Sequence, residues 1–448
     1  MRRYELSEGN SNKFWEIELE GSSFTTRFGR IGTGGQTSTK TFKSDDEARK
    51  QYEKIIAEKE KKGYSLVGEG DDEGSSGGAA AAPAAARGPD NPELADAILA
   101  DPDAVDGYLV YGDWLQSQGD PLGELVAIQC KLAQGADAAL EKKAAELIAA
   151  NKERWLRGLD GADDVELTWR YGFFHTATLG NTEEWGEQNG VELYNHLVSS
   201  PASRFLRELT LGIFDDEESG EPNWGPVLAA MAKSPLPTLR KLVISCFGYQ
   251  ISWTYLGDLS PLYANLDLLE ELSIQMGHMD LGRIALRNLK SFEVVTGGLT
   301  KKNLKSIVEA QWPRLESLVL YFGDDEYGCD CKVKDLAPLF DASGIWGVKK
   351  LGLCNSKFAD DIAKALPKSK ILKQIKHLDL SKGAMGEAGA QAILANAAAF
   401  KHLETLDLSE NYIPDELCDK LKDVCAGVNV EEQGDEEDPE DRYVQVAE

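Results

Sequence analysis

One short pattern constrains this chain more than any other: apolar-x-x-apolar-x-apolar, which recurs eight times between residues 206 and 408. Its first positions are Leu206, Leu239, Leu269, Leu289, Leu315, Val348, Ile375 and Leu403, spaced 20 to 33 residues apart. The fourth and sixth positions are apolar in every copy, from Leu209/Leu211 and Leu242/Ile244 to Leu378/Leu380 and Leu406/Leu408. A strand of this length cannot bury its inward side chains alone. Stacked copies supply the missing surface, so the pattern predicts a parallel sheet built one strand per repeat. Stretches between the strands, such as Gly389–Ala399, read as helices on the opposite, convex side. Tyr171–Leu179 reads as a strand that caps the array. In the last copy, Asn411 stands where a side-chain amide would bond loop carbonyls and amides between coils.

Punctuation divides the rest. Residues 68–90 hold Gly, Ala, Pro, Ser and acids without core-forming side chains, which predicts a linker. Before it, residues 1–67 alternate as strands. Phe14–Leu19 and Phe24–Phe28 form a hairpin, Gly32–Gly35 a second turn, and Thr37–Phe42 a further strand. A helix opens at Ser44 with Ala48, Tyr52, Ile55 and Ile56 on one face, and Gly63 marks its stop. After the linker, residues 91–160 carry helical periodicity, residues 161–430 the repeats, and residues 431–448 an acidic tail ending in the alternating Tyr443-Val444-Gln445-Val446, docked on the last repeat or free. The fold class is therefore α/β: a small antiparallel sheet with one helix, a helical cap, and a long repeat array.

The formal charge is -28, yet residues 1–67 carry 13 Lys/Arg against 11 Asp/Glu. An acidic surface repels phosphate backbones and anionic membranes, so any nucleic-acid contact belongs to the N-terminal unit. Seven scattered cysteines, an odd number, predict reduced thiols and a cytoplasmic protein rather than a disulfide scaffold. The sequence shows no signal-peptide pattern and no apolar run long enough to span a bilayer, so no membrane partner is expected. No nucleophile, zinc-ligand or phosphate-loop motif stands out, and the acids at 215–218 have no partner that would make an acid/base pair. Cys329-Asp330-Cys331 lacks the further ligands of a metal site. The expectation is a non-enzyme with no cofactor and no metal.

Residues 4–67 resemble the WGR domain through Phe14-Trp15-Glu16, Phe28-Gly29-Arg30-Ile31-Gly32-Thr33, Gly35-Gln36 and Lys61-Lys62-Gly63-Tyr64, with Phe28 at the position of the eponymous Trp. In poly(ADP-ribose) polymerases this domain contacts DNA ends, so the resemblance implies a stacking role for Phe28 and a phosphate role for Arg30, with Lys40, Lys61 and Tyr64 around them. The competing reading puts Trp15 and Phe28 in the core and pairs Arg30 with a bracing carboxylate. Bacterial WGR proteins similar to a proposed molybdate metabolism regulator resemble this chain further, since no polymerase domain follows. Residues 93–133 resemble a bacterial repeat-companion domain through Ala97–Pro102, Leu109–Leu115 and Gly119–Glu124, which implies a cap on the first coil. The repeats resemble a leucine-rich-repeat solenoid of the ribonuclease-inhibitor-like branch.

A solenoid of this kind implies a protein partner on the concave face. Arg240, Lys241, Gln275, Met276, Tyr321, Phe322, Lys349, Lys350, His377 and Asp379 lie between the inward positions and are the candidate contacts. The functional expectation is an adaptor. Its alternative is a DNA-end or nucleic-acid-phosphate binding regulator acting through residues 1–67.

Overall fold

The computed structural model describes residues 2–8, 11–30, 36–42, 44–61, 64–69, 88–182, 186, 188–214, 222–246, 248–436, 438 and 441–447. The chain forms two compact units, residues 1–80 and 81–448. The turn read at Gly32–Gly35, the helix stop at Gly63, most of the linker and the acids at 215–218 lie outside the described residues.

In the first unit, β1 (Arg2–Glu8), β2 (Ser11–Glu20), β3 (Ser23–Arg30), β4 (Gln36–Thr41) and β5 (Ser65–Glu69) form an antiparallel sheet in the order β4-β3-β2-β1-β5. Helix α1 (Asp45–Lys61) follows Ser44, as its periodicity predicts. Period-2 alternation on β2 sends Trp15 and Ile17 into a core shared with Tyr4, Phe24, Ile56 and Tyr64. Strands β1 and β5 were not anticipated. The pair Arg2-Arg3 masks the alternation of Tyr4 and Leu6, and β5 runs through residues 68 and 69, beyond the expected start of the linker.

The second unit begins with α2 (Pro92–Ala100), α3 (Val105–Ser117), α4 (Leu122–Leu132) and α5 (Ala138–Ala150). Tyr108 and Tyr111 of α3 meet Phe173 and Phe205 with ring centroids 5.4 to 6.2 Å apart, and the two phenylalanines meet each other at 4.7 Å. This aromatic contact joins the helical layer to the start of the sheet.

The large sheet has eleven strands. They are β6 (Val165–Arg170), β7 (Phe173–Leu179), β8 (Glu208–Leu211), β9 (Lys241–Ile244), β11 (Glu271–Gln275), β13 (Ser291–Val295), β14 (Ser317–Gly323), β15 (Lys350–Ser356), β16 (His377–Asp379), β17 (Thr405–Asp407) and β18 (Val428–Asn429). They follow one another in chain order, and the two missing numbers, β10 (Tyr255–Asp258) and β12 (His278–Asp280), form a separate parallel pair. Every junction in the large sheet is parallel except β6–β7, an antiparallel hairpin at its edge. All eight patterned segments supply a strand.

The register does not slip. Leu209, Leu242, Leu272, Phe292, Leu318, Leu351, Leu378 and Leu406 are successive cross-strand partners, and each is at most 2% exposed. A one-residue slip would turn a whole row of apolar side chains to solvent, at roughly 1.5–3 kcal/mol for each. Helices such as Gly190–Ser199, Lys301–Val308 and Glu387–Ala395 bury apolar faces in the same core.

Two local devices hold the turns that leave the strands. Asn411 is fully buried. Its Nδ2 donates to the carbonyls of Leu380, Leu408 and Ser409 at 3.0 to 3.1 Å, and its Oδ1 accepts from Met385 N–H at 3.0 Å. This is the bonding expected of it. The corresponding place in the Leu315 repeat is Gly323, where φ is +77° and a Cβ would lie 1.6 Å from the Gly297 carbonyl. Close approach of neighbouring turns thus explains why an Asn cannot stand there.

All seven cysteines are free, and six are buried. No helix among the described residues is long and apolar enough to cross a membrane.

Candidate functional site

Alternation along the strands leaves one face of the large sheet open. At its centre lies a groove of about 390 Å³ lined by Lys241, Glu271, Ser273, Glu293, Val319 and Lys350, among others. Neighbouring strands knit its polar groups together. Lys241 pairs with Glu271 at 3.6 Å, and Ser273 Oγ donates to Glu293 at 2.8 Å. Ser245 Oγ donates to Gln275 at 2.8 Å, and His377 Nδ1 lies 2.9 Å from Thr405 Oγ1. Burial, reinforced by Cys354, Asp379 and Glu293, pushes the Tyr321 hydroxyl above its ordinary range, so it stays a neutral donor. Asp379 caps the turn beyond β16 by accepting from Ser381 N–H at 3.0 Å.

Of the ten residues expected on this face, Lys241, Gln275, Tyr321, Lys350, His377 and Asp379 are partly or fully exposed at its alternate positions. Met276 and Phe322 are corrections: both are fully buried. Met276 continues the inward row of Leu272 and Ile274. Strand β14 runs on to Gly323, so Phe322 follows Leu318 and Leu320 into the core, where its ring meets Phe358 at 5.1 Å. Arg240 and Lys349 are also displaced. Each lies one residue before its strand, in a row where one carbonyl accepts two N–H groups from the entrance of the next strand, as Glu316 O does from Lys349 and Lys350 at 2.7 and 3.1 Å. Arg240 spends its guanidinium on Leu268 O and Glu270, both near 3.3 Å. Lys290 reaches the same Glu270 at 2.6 Å. These pairs line the strand entrances rather than the groove.

The N-terminal unit offers a different surface. Glu16 is 3% exposed and holds two arginines, Arg3 at 2.7 Å and Arg27 at 3.1 Å. Both guanidiniums lie over the Phe14 ring, 4.4 and 5.5 Å from its centroid. Glu16 thus braces the sheet through Arg3 and Arg27; the pairing expected of Arg30 lies outside the described residues. Tyr64 is a correction: it packs in the core, with the Lys59 ammonium 5.2 Å from its ring, because β5 draws it under the sheet. Lys61 is exposed in the last turn of α1. Phe28, Arg30 and Lys40 are cross-strand partners of Trp15, Lys13 and Phe24, and their side chains lie outside the described residues.

Residues 1–71 match the WGR domain. Two Escherichia coli proteins share this part of the chain. The uncharacterized protein YfeS is 40% identical over 63 residues, and protein YehF is 39% identical over 64 residues. Each alignment covers 14% of this chain and spans about a quarter of the relative, 26% and 23% respectively. A Bacteroides fragilis protein, crystallised as a structural-genomics target, superposes with a TM-score of 0.54 at 22% identity, covering 100% of this chain and 99% of the other. That likeness is one of fold. Among the described residues, no group of three or more His, Cys, Asp or Glu could hold a metal ion.

The Glu16 brace is almost invisible in the sequence. Its only trace was the outward position of Glu16 between Trp15 and Ile17. Of the two alternatives for the C-terminal residues, docking on the last repeat is the one observed, through Tyr412, and the contacts with Asn355 and Ser252 had no sign in the sequence.

Proposed function

We propose that the chain is a non-enzymatic, cytoplasmic adaptor whose repeats stack as a leucine-rich-repeat solenoid and whose concave sheet face takes a protein partner. One observation carries this reading: the unslipped register leaves a continuous outward surface with its own groove, bearing mixed charge, serines and a neutral Tyr321 hydroxyl. Interfaces of non-obligate partners have this mixture of polar groups around a few large anchors. The acids on this surface, Glu208, Glu271, Glu293, Asp379 and Asp407, disfavour phosphate there. The helices of 91–160 serve as the repeat-companion cap of the first coil, and the buried free thiols fit a reducing compartment. The test uses full-length chain as bait in an extract of its source, followed by a binding isotherm with the protein it captures. The pair K241E and K350E weakens that isotherm at least tenfold, whereas K364E, on the helix side, leaves it unchanged. Equal loss with K364E, or none with the pair, removes the reading.

A second reading rests on the WGR match. We infer that residues 1–71 form a nucleic-acid module, with Phe28 and Arg30 as reader and Lys61 at its rim. Its balance is positive, 13 Lys/Arg against 11 Asp/Glu over residues 1–67, in a chain whose formal charge is -28. Binding of the full chain to nicked duplex DNA, titrated with salt, tests it. A module of this charge binds weakly and loses affinity steeply with salt. No binding at low salt ends this reading and leaves the adaptor intact.

A further inference from the structure

The last described residues do not trail into solvent. Residues 442–447 lie across the turns that leave β13, β15, β16 and β17, and almost every contact goes to their main chain. The Tyr412 hydroxyl donates to Tyr443 O and accepts from Tyr443 N–H, both at 3.0 Å. The Asn355 side chain does the same for Val446, donating Nδ2 to its carbonyl at 2.5 Å and accepting its N–H on Oδ1 at 2.8 Å. Gln445 N–H donates to Lys382 O at 3.1 Å, Lys357 Nζ donates to Arg442 O at 2.6 Å, and Ser252 Oγ donates to Ala447 O.

A buried amide that satisfies both the N–H and the C=O of one residue acts as a neighbouring strand would. Three side chains of the segment turn inward, Arg442, Val444 and, partly buried against the core, Val446. Val444 is 5% exposed and Arg442 is 7% exposed, its guanidinium 5.7 Å from the Tyr412 ring centroid. Two glycines make room. A Cβ on Gly386 would fall 2.2 Å from Arg442 Nη1, and one on Gly297 would fall 2.5 Å from Ala447 O.

We propose that this edge, formed by Ser252, Gly297, Asn355, Lys357, Lys382 and Tyr412, is a peptide-recognition seat separate from the sheet face. Its own residues 442–447 fill it in cis. An extended segment of another chain, with Arg followed two residues later by Val and again by Val, takes it in trans. Main-chain reading supplies the affinity, and the pockets for Arg442 and Val444 supply the selection. The tether gives the native segment an effective concentration in the millimolar range, so a partner competes with it rather than finding an empty site.

The test keeps the full chain. V444D places a carboxylate where the Val444 side chain is buried and frees the segment. A fluorescent peptide of residues 441–448 then binds the V444D chain saturably, and the unaltered chain at least tenfold more weakly. Adding Y412F to V444D, which removes one hydroxyl and keeps the ring, weakens peptide binding several-fold. The unaltered chain gives an independent readout: excess isotopically heavy peptide raises deuterium uptake at residues 443–446 by displacing them. The proposal is overturned if a folded V444D chain does not bind the peptide, or if V444D and the unaltered chain bind it equally. Unchanged uptake in the unaltered chain at saturating peptide overturns it as well.

Discussion

Replacing Asn411 with Ala removes four hydrogen bonds but does not orphan every group. The Leu408 carbonyl keeps Gln433 Nε2 at 2.9 Å, and the Ser409 carbonyl keeps Lys382 N–H at 3.0 Å. Met385 N–H and the Leu380 carbonyl are left, both beside a side chain that is fully buried. An unsatisfied buried polar group costs roughly 1–3 kcal/mol, so two of them cost about 2–6 kcal/mol. At about 1.4 kcal/mol per decade, that is roughly a 30- to 20,000-fold loss of local protection. Hydrogen exchange by mass spectrometry on the full chain measures it, because a chain of two units need not unfold in a single step. Peptides spanning 377–413 should exchange at least 30-fold faster, while peptides in 208–244 stay within about twofold. A change below about fivefold at 377–413 would refute the claim that this amide holds the last turns together.

Leu318→Ala, in the middle of the ladder, should cost about 2–5 kcal/mol of sheet stability, read as a lower denaturant midpoint for the second unit. Gly323→Ala should destabilise the same unit, since its Cβ has no room beside the Gly297 carbonyl; an unchanged melting temperature would contradict the close approach. Burial, and then the charge of Arg170, holds the His175 imidazole below its ordinary 6.5. Its contribution to stability is complete above pH 6.5 and is lost as pH falls through the lower folded value, because the unfolded chain takes the proton first. H175N should therefore flatten the acid side of the stability curve, and an unaltered slope would count against the burial. Lys61→Glu should lower the salt slope of duplex binding by about 1 without changing sequence preference.

The ladder was legible because its signal is redundant: two apolar positions per strand, repeated eight times, leave a single register in which all are buried. Asn411 was legible for the same reason, since its distance from Leu403 locates it in the turn. The open face was read less well. Lys241, Lys350 and Asp379 obey the alternation within the six-residue pattern. Phe322 and Met276 lie past the sixth position, where only the true length of the strand tells inside from outside. Arg240 and Lys349 precede the strand, where one carbonyl of the neighbouring segment takes two N–H groups. The seat of residues 442–447 was out of reach for another reason. Asn355 and Val446 are 91 residues apart, and no local pattern announces that they pair. What the sequence did show was the alternation of Val444 and Val446, which marks an extended segment either docked on the last repeat or free; Tyr412 docks it, while Asn355 and Ser252 extend the seat to earlier repeats. The acidic tail carried no helix or strand pattern at its start, yet Gln433 anchors that start by accepting Ile413 N–H and donating to the Leu408 and Val430 carbonyls.

The division of labour between the two units is tested most directly by mapping hydrogen exchange of the full chain alone, with nicked duplex DNA, and with the captured protein partner. The account predicts that DNA slows exchange only within residues 2–69, and that the partner slows it in strands 241–244, 271–275, 291–295, 317–323 and 350–356. Protection on the helices 301–308 or 387–395, or protection of the sheet by DNA, would contradict it.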